Sequence, residues 1–186
     1  MTPKAPVRST LAAAALIALT SGFMATPALA HAPRTTAANL LDRIQIEDFL
    51  VDYYQPLGGG KQEDLASFFT PDGVIDVNGR VYSGHKGIAQ AYKDAGSANN
   101  GNATFKGKFT MLMNNPRIEI HGDTATADVI WTGVVSATPK DTPHFAEQGK
   151  EHDDLVKVKG EWFIKKRIIT STGGLAPFFQ ATYKDR

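Results

Sequence analysis

The chain contains no cysteine among its 186 residues. It therefore has no disulfide framework, no thiolate zinc site and no cysteine nucleophile. Lysine and arginine, 20 together, nearly balance the 19 aspartates and glutamates, so the net charge gives no argument for binding to nucleic acid. With 42% apolar residues the chain is too hydrophobic to be disordered, and its length is that of one domain with a sizeable core.

Motifs for metals and for phosphate groups are also missing from the sequence. There is no His-x-His, no His-Glu-x-x-His and no carboxylate cluster, so we expect no tight metal site. The glycine run Gly58-Gly59-Gly60 follows a predicted helix, whereas a phosphate-binding loop follows a strand. We therefore expect a protein that works without a metal or an organic cofactor.

The first thirty residues have the three parts of a secretory signal peptide. Lys4 and Arg8 precede an apolar run from Leu11 to Leu19, and Ala28-Leu29-Ala30 supplies small residues at the cleavage position. The apolar run is shorter than the roughly 20 residues of a membrane-spanning helix. We expect residues 1–30 to be removed and the mature protein to be periplasmic or secreted, with no membrane segment. An uncleaved N-terminal anchor is the alternative.

The rest of the sequence predicts one α+β domain behind a short flexible lead at residues 31–37. Apolar residues at helical spacing predict three helices, at 38–57, 62–69 and 85–95. Asn78-Gly79 predicts a hairpin between two short strands. Further strands are predicted at 108–114, 117–121, 124–137, 150–158 and 161–171, with a polar connection at 138–149. Because short turns join these strands, we expect one mostly antiparallel sheet with helices on one face.

Five sequence blocks follow one another along residues 38–172. The first block is Leu65-Ala66-Ser67-Phe68-Phe69-Thr70-Pro71-Asp72-Gly73-Val74-Ile75-Asp76. The other four are Gly84-His85-Lys86-Gly87-Ile88, Asn115-Pro116-Arg117-Ile118-Glu119-Ile120, Gly122-Asp123-Thr124-Ala125-Thr126-Ala127, and the stretch from Gly149 to Trp162. In this order they resemble the SnoaL-like branch of the nuclear-transport-factor-2-like (NTF2-like) superfamily, to which scytalone-dehydratase-like and ketosteroid-isomerase-like enzymes belong.

The resemblance implies a cone-shaped roll over residues 38–172. A strongly curved antiparallel sheet would wrap around three helices and leave an apolar pocket at the wide end. It also implies a homodimer or a higher homo-oligomer. Residues 173–186 would form a C-terminal tail, and we expect its apolar Phe178 and Phe179 to cover the pocket or to contact a partner subunit.

The stretch Glu151-His152-Asp153-Asp154 is the main candidate for catalysis. Strand alternation places His152 and Asp154 on one face. If that face points inward, His152 can act as acid or base with Asp154 orienting it, and Tyr54 at the end of the first helix can donate to a developing oxyanion. We therefore expect Tyr54, His152 and Asp154 to be catalytic. A solvated rim of the sheet is the alternative reading for His152.

Four further residues are expected to bind the substrate: Tyr53, Met111, Asn114 and Trp131. Trp131 can form either pocket wall or core, and Asn114 can either face the pocket or serve the turn before a proline. The sequence also departs from the family pattern. Glycine, near Gly58, stands where many related enzymes have an aspartate, and Met111 lies near the place of a dehydratase-like histidine.

The resemblance and the residues together predict a cofactor-independent lyase, dehydratase or isomerase. It would transfer protons on a small apolar molecule, preferably an aromatic one. The expected reactions include cleavage of an aromatic side-chain diol and elimination from it. The alternative is a non-catalytic periplasmic module that binds a small molecule or dimerises, which the missing aspartate and histidine favour. Because folds of this kind support many reactions, the choice depends on the site.

Overall fold

Six strands form one curved, mixed sheet in the computed structural model, which describes residues 34–58, 62–100, 108–136, 138, 140–174 and 177–184. The strands are β1 (Phe69–Val77), β2 (Arg80–Ser83), β3 (Lys108–His121), β4 (Thr124–Ser136), β5 (His144–Val158) and β6 (Glu161–Gly173). Their order is β2-β1-β6-β5-β4-β3. Neighbours are antiparallel except β1 and β6, which pair in parallel. The predicted α+β class is confirmed.

Three α-helices accompany the sheet: α1 (Leu40–Tyr54), α2 (Gly84–Asn100) and α3 (Pro177–Gln180). A short 3₁₀ helix, Gln55–Gly58, follows α1 directly. Pro56 lies in it and cannot donate a backbone hydrogen bond, which favours the end of the α-helix there. The segment predicted as a second α-helix is a 3₁₀ helix, Gln62–Phe68.

The core lies between α1, α2 and one face of the sheet. In β4 the residues with odd numbers, from Ala125 to Val135, are buried on this inner face, and the intervening residues point outward. The residues from α1 and α2 that join them include Ile46, Leu50 and Ile88, each 0% exposed. The inner face is therefore the one on which any interior site must be built.

Two strands are longer than the sequence predicts. β5 begins at His144, which pairs with Val135, so residues taken for a polar connection continue the ladder with β4. β3 runs unbroken from Lys108 to His121, with an irregular register between Asn114 and Arg117. Asn115 has a positive φ of 44°, which lets the strand pass through the Asn-Pro pair that predicted a break.

A bulge in β6 decides which of its residues face the core. Leu155 pairs with Ile164, but the preceding residue of β5, Asp154, pairs with Lys166. Lys165 is thus an extra residue, and its ammonium group contacts the carboxylate of Asp72 outside the core. After the bulge the inward positions shift by one, which brings Arg167 into the interior.

The C-terminal tail packs on its own chain. Phe179 is 1% exposed and belongs to the core, and α3 contacts α2. Phe178 is 41% exposed, and the guanidinium of Arg80 lies 3.6 Å from the centre of its ring. Arg80 Nε also donates to the backbone oxygen of Phe178 at 2.7 Å. Both phenylalanines therefore make contacts within the chain, Phe179 in the core and Phe178 with Arg80 at the surface.

The predicted signal peptide, residues 1–30, lies outside the described residues, as does the first part of the flexible lead. Within the part of the chain that the structure describes, no helix is long and apolar enough to cross a membrane.

Candidate active site

Two fully buried charged residues, Arg167 and Asp153, form an ion pair on the inner face of the sheet. They are direct partners across β5 and β6. Arg167 Nε donates to Asp153 Oδ1 and Arg167 Nη2 donates to Oδ2, both at 2.7 Å. Burial disfavours the charge of Arg167, but the nearby carboxylates of Asp153 and Glu151 outweigh that effect and raise the pKa of the guanidinium. The pair therefore stays ionised in a place from which water is excluded.

Glu151 occupies the next inward position of β5 and is buried as well. Its Oε1 lies 3.2 Å from Arg167 Nη2, without the geometry of a hydrogen bond. Burial, opposed by Arg167 and reinforced by Asp153, raises the pKa of Glu151 to about 8. Because Asp153 already balances the arginine, Glu151 avoids an uncompensated charge by remaining protonated at neutral pH. Arg167, Asp153 and Glu151 together are then neutral.

Two tyrosines at the end of α1 contact these charges. Burial and the neighbouring Glu151 raise the pKa of Tyr54 well above its usual range. The Tyr54 hydroxyl is buried beside the Glu151 carboxyl, close enough to interact with it but without a well-aligned hydrogen bond. The ring of Tyr53 lies 3.8 Å from the Arg167 guanidinium, and its hydroxyl is bonded to that of Tyr92. Tyr53 is thus engaged in packing, whereas Tyr54 offers an unused donor. We call Tyr54, Glu151, Asp153 and Arg167 the interior cluster.

Apolar side chains lie beside the interior cluster on the same face. Trp131 is 3% exposed and pairs with Gly149 of β5, where any side chain would overlap the indole ring. Gly149 therefore lets Trp131 lie over β5, one inward position from Glu151. Met111 and Met113 on β3 are partly buried and pack against the core. Of the residues predicted to bind substrate, Met111 and Trp131 are thus placed on the inner face.

A second inward carboxyl, Glu147, lies on the other side of Gly149. It is four residues from Glu151, which is about 13 Å along a strand. Burial raises the pKa of Glu147 to about 7, and its side chain has no ion pair or hydrogen bond among the described residues. The inner face of β5 therefore presents two carboxyls, Glu147 and Glu151, whose charge states change near neutral pH.

The expectation that His152 and Asp154 point into the cone is wrong. Both side chains lie on the outer face of the sheet, 42% and 48% exposed. His152 Nδ1 is 2.7 Å from Asp128 Oδ1, and its Nε2 is 3.5 Å from Asp154 Oδ1. The hydrogen bond to Asp128 raises the pKa of His152, although partial burial opposes this effect. His152 and Asp154 do share one face of β5, but the face that turns inward is that of Glu151 and Asp153.

Asn114 is also placed differently from the expectation. It is exposed on β3 and pairs with Ile130, a residue of the outer face, so it does not reach the interior cluster. Alternation along β3 fixes this orientation, since the neighbouring Met113 packs against the core. Gly58, near the position of the family's aspartate, closes the 3₁₀ helix after α1.

Sequence reasoning missed Arg167 because of the bulge at Lys165. Regular alternation from the buried Trp162 and Ile164 would direct Lys166 inward and Arg167 outward. For β5 the pattern itself was ambiguous, since Leu155 shares a face with Glu151 and Val156 shares a face with His152. The pairing of Asp153 with Arg167, a buried cation opposite a buried anion, is the signal that selects the correct face.

The arrangement is suited to moving protons rather than to holding metal. Among the described residues no group of three potential ligands is close enough to hold a metal ion. Tyr54 and Glu151 place a phenol and a carboxyl in a water-poor interior, where hydrogen bonds to a reacting oxygen are strong.

Comparison with solved structures shows the same fold. A proposed scytalone dehydratase of Novosphingobium aromaticivorans DSM 12444 has a TM-score of 0.59 and 22% identity, covering 75% of this chain and 89% of that chain. ActVI-ORFA of Streptomyces coelicolor has a TM-score of 0.59 and 20% identity, covering 70% and 97%. A protein of unknown function with a cystatin-like fold from Nostoc punctiforme PCC 73102 has a TM-score of 0.61 and 19% identity, covering 75% and 96%.

Sequence comparison identifies the family. The uncharacterized protein Rv2910c of Mycobacterium tuberculosis (strain ATCC 25618 / H37Rv) is 29% identical over 136 residues, 73% of this chain and 88% of the relative. The uncharacterized protein Mb2934c of Mycobacterium bovis matches to the same extent. The model of the SnoaL-like domain matches residues 38–168, which is most of the described chain. The sheet order, the sequence blocks and this match agree, and the chain belongs to the family of SnoaL-like domains.

Proposed function

We propose that the protein is a cofactor-independent isomerase or lyase that transfers protons on a small, uncharged and largely apolar molecule, preferably an aromatic one. The observation that carries the proposal is that the Tyr54 hydroxyl and the Glu151 carboxyl lie beside each other in the interior. Both present buried polar atoms that lack a hydrogen-bond partner in the described residues, next to a balanced ion pair. An unsatisfied buried group costs about 1–3 kcal/mol, so a concentration of them at one place calls for a ligand.

Glu151 has the properties of the group that carries the proton. A pKa of about 8 leaves a fraction of it ionised near neutral pH, and that carboxylate can accept a proton from a carbon atom next to a carbonyl. In an isomerisation the same carboxyl returns the proton to a different carbon. In an elimination the electrons left on the first carbon form a double bond, and the leaving group on the neighbouring carbon departs with the electrons of its own bond. Glu151 then gives the leaving group the proton that it removed.

Tyr54 has the properties of the group that stabilises the intermediate. Its raised pKa keeps the hydroxyl protonated, so that it can donate a hydrogen bond to an oxygen on which negative charge develops. The protein interior makes that hydrogen bond stronger than it would be in water. Tyr54 and Glu151 thus divide the work into charge stabilisation and proton transfer.

The surroundings indicate the class of substrate. The guanidinium of Arg167 is held by two bonds to Asp153, so it offers no free charge to an anionic substrate. Trp131 and Met111 supply apolar surface on the same inner face, which favours a hydrophobic body with one carbonyl or hydroxyl oxygen. A dehydratase, the activity proposed for the Novosphingobium aromaticivorans neighbour of similar fold, would fit this description.

A proton-exchange experiment tests the proposal without knowledge of the natural substrate. The purified mature protein is incubated in D₂O with a panel of hydroxylated aromatic ketones and steroid-like enones, and NMR follows deuterium incorporation next to the carbonyl. We expect exchange with the wild type, and its loss in Glu151→Gln and Tyr54→Phe. His152→Ala, a change on the outer face, is the matched control and should exchange normally. Equal exchange in wild type and Glu151→Gln contradicts the proposal.

A non-catalytic module that binds a small molecule is the second candidate. The observation in its favour is that two positions at which related enzymes carry reactive groups hold a glycine and a methionine in this chain. Gly58 lies near the position of the aspartate, and Met111, near that of the histidine, packs against the core. A compound that binds the wild type saturably but shows no exchange in D₂O would support this function.

A further inference from the structure

The outer face of the sheet carries large apolar side chains that are exposed to water. Along β4 the residues between the buried ones point outward, and Ile130 among them is 53% exposed. Leu112 of β3 pairs with Thr132 and is 46% exposed. Phe145 of β5 pairs with Val134 and is 79% exposed. Because cross-strand partners lie on the same face of a sheet, these side chains form one apolar patch, which indicates a surface that another molecule covers.

The outer face is large enough for a stable interface. α1 and α2 pack with the core on the inner face, and α3 contacts α2, so no helix of the described chain covers the outer face. The four strands β3 to β6 measure roughly 19 Å by 33 Å over about ten residues, because strands are about 4.8 Å apart and each residue adds about 3.3 Å. With the side chains that stand on it, this area approaches the roughly 800 Å² that each partner of a stable interface buries.

The charges beside the apolar patch are of both signs and lie next to one another. Arg117 of β3 is the cross-strand partner of Asp128, and Lys166 of β6 is that of Asp154. Arg117 also forms an ion pair with Glu119. Because acids and bases alternate, two copies of this face can approach each other without strong repulsion, and the face does not select a partner of one charge.

A second exposed apolar region, on α1, is less suited to self-association. Its exposed apolar residues are Leu40, Leu41, Ile44 and Val51. The same helix carries the acids Asp42, Glu47, Asp48 and Asp52, and Arg43 is its one base. Two copies of this acidic surface would repel each other, since like charges brought together are costly. Charge complementarity therefore favours the outer face of the sheet, and α1 supplies a control surface.

A hollow in the outer face makes the surface self-complementary. Its volume is about 380 Å³, and its lining includes Ile130, Lys150 and Ile168. The projecting ring of Phe145 belongs to the same strand as Lys150 and lies five residues before it. A two-fold axis parallel to the sheet and crossing β5 near Gln148 exchanges these two positions, because it reverses the direction of the strand. Phe145 of each copy then enters the hollow of the other, as a two-fold interface requires.

We infer that the outer face of β3 to β6 is the interface of a homodimer, in which Phe145 of each copy fills the hollow of the other and Leu112 and Ile130 become buried. It is the surface through which the homo-oligomer expected from the sequence forms. The inference does not depend on the proposed proton transfer, because the interior cluster lies on the opposite face of the sheet.

Sedimentation equilibrium of the purified mature protein measures the dissociation constant of the dimer. We expect the mass of two chains, and Phe145→Ala should weaken the dimer by about 30-fold, as truncation of a central aromatic contact does. Leu41→Ala, at an exposed apolar residue of α1, is the matched control and should dimerise like the wild type. Tyr54→Phe should also dimerise normally, so the dimer and the proposed activity are tested separately. A monomeric wild type, or an unchanged dissociation constant in Phe145→Ala, overturns the inference.

A single introduced cysteine tests the position of the axis, since the chain has no other thiol. Thr132 pairs with Gln148 and therefore lies beside the proposed axis. Sheets packed face to face are about 10 Å apart, so two thiols that point at each other from them can meet. Mild oxidation should link Thr132→Cys into a covalent dimer, whereas Leu41→Cys should remain a single chain. Linkage of Leu41→Cys without linkage of Thr132→Cys contradicts the proposed interface.

Discussion

Arg167 and Asp153 face each other as direct partners on β6 and β5, joined by two hydrogen bonds of 2.7 Å at 0% exposure. The same guanidinium packs on the ring of Tyr53 and lies 3.2 Å from Glu151. One ion pair thus connects the end of α1 to the inner face of the sheet. It fixes the surroundings in which Glu151 and Tyr54 lie, so its removal should affect folding before it affects chemistry.

Arg167→Met should destabilise the protein by about 3–5 kcal/mol, because it leaves Asp153 and Glu151 buried without a cation. Urea unfolding followed by circular dichroism measures the change. The double variant Arg167→Met/Asp153→Leu removes both charges and should recover most of the loss. If the double variant is as unstable as the single one, the shape of the arginine rather than its charge is what the fold requires.

Tyr54→Phe should stabilise the protein by about 1–3 kcal/mol, because it removes a buried hydroxyl that has no well-aligned hydrogen bond. The rate of deuterium exchange should nevertheless fall by about 100-fold, the usual effect of removing one donor to a developing oxyanion. Tyr53→Phe is the comparison, since it breaks a bond to Tyr92 and should cost about 1 kcal/mol. A Tyr54→Phe variant that exchanges at the wild-type rate would refute the role of this hydroxyl.

The fold could be predicted from the sequence because its signals are local. Period-two alternation marks β4, and the Asn78-Gly79 pair, both with positive φ, forms the turn of the predicted hairpin. The length of β5 could not be predicted, since residues 144–149 show no regular alternation of apolar and polar side chains and owe their extended form to pairing with β4. Strand pairing of this kind is a tertiary effect that outweighs local preference.

The sequence indicates the strand that carries the interior cluster but not which face of that strand turns inward. The stretch Glu151-His152-Asp153-Asp154 carries a charged or ionisable group at every position, so composition does not say which pair is inside. What decides is Arg167, and its inward orientation depends on a one-residue bulge that leaves no mark in the sequence. Tyr54, by contrast, ends a helix whose direction is readable, and it lies in the interior cluster as its position indicated.

His152 should titrate above the ordinary histidine value, because the Asp128 carboxylate stabilises its charged form. A group whose pKa is raised on folding adds stability below its unfolded pKa of about 6.5, and this contribution is lost as the pH rises through the folded value. NMR titration of the imidazole measures the pKa directly. Asp128→Asn should lower it, and an unchanged value in that variant would show that the contact does not persist in solution.

Glu147 should make the protein less stable as the pH rises. Burial raises its pKa from 4.5 to about 7, so the folded state holds a proton that the unfolded chain releases between these values. The stabilisation is complete below pH 4.5 and is lost as the pH approaches 7, by at most about 3 kcal/mol.

Glu147→Gln has no proton to lose, so we expect it to match the wild type near pH 4 and to exceed its stability near pH 8. Urea unfolding at both pH values measures the difference, and Asp141→Asn, at an exposed acid, should follow the wild type. Because Glu151 titrates in the same direction in both proteins, only the difference between the two curves reports on Glu147, and parallel curves would show that this carboxyl is hydrated.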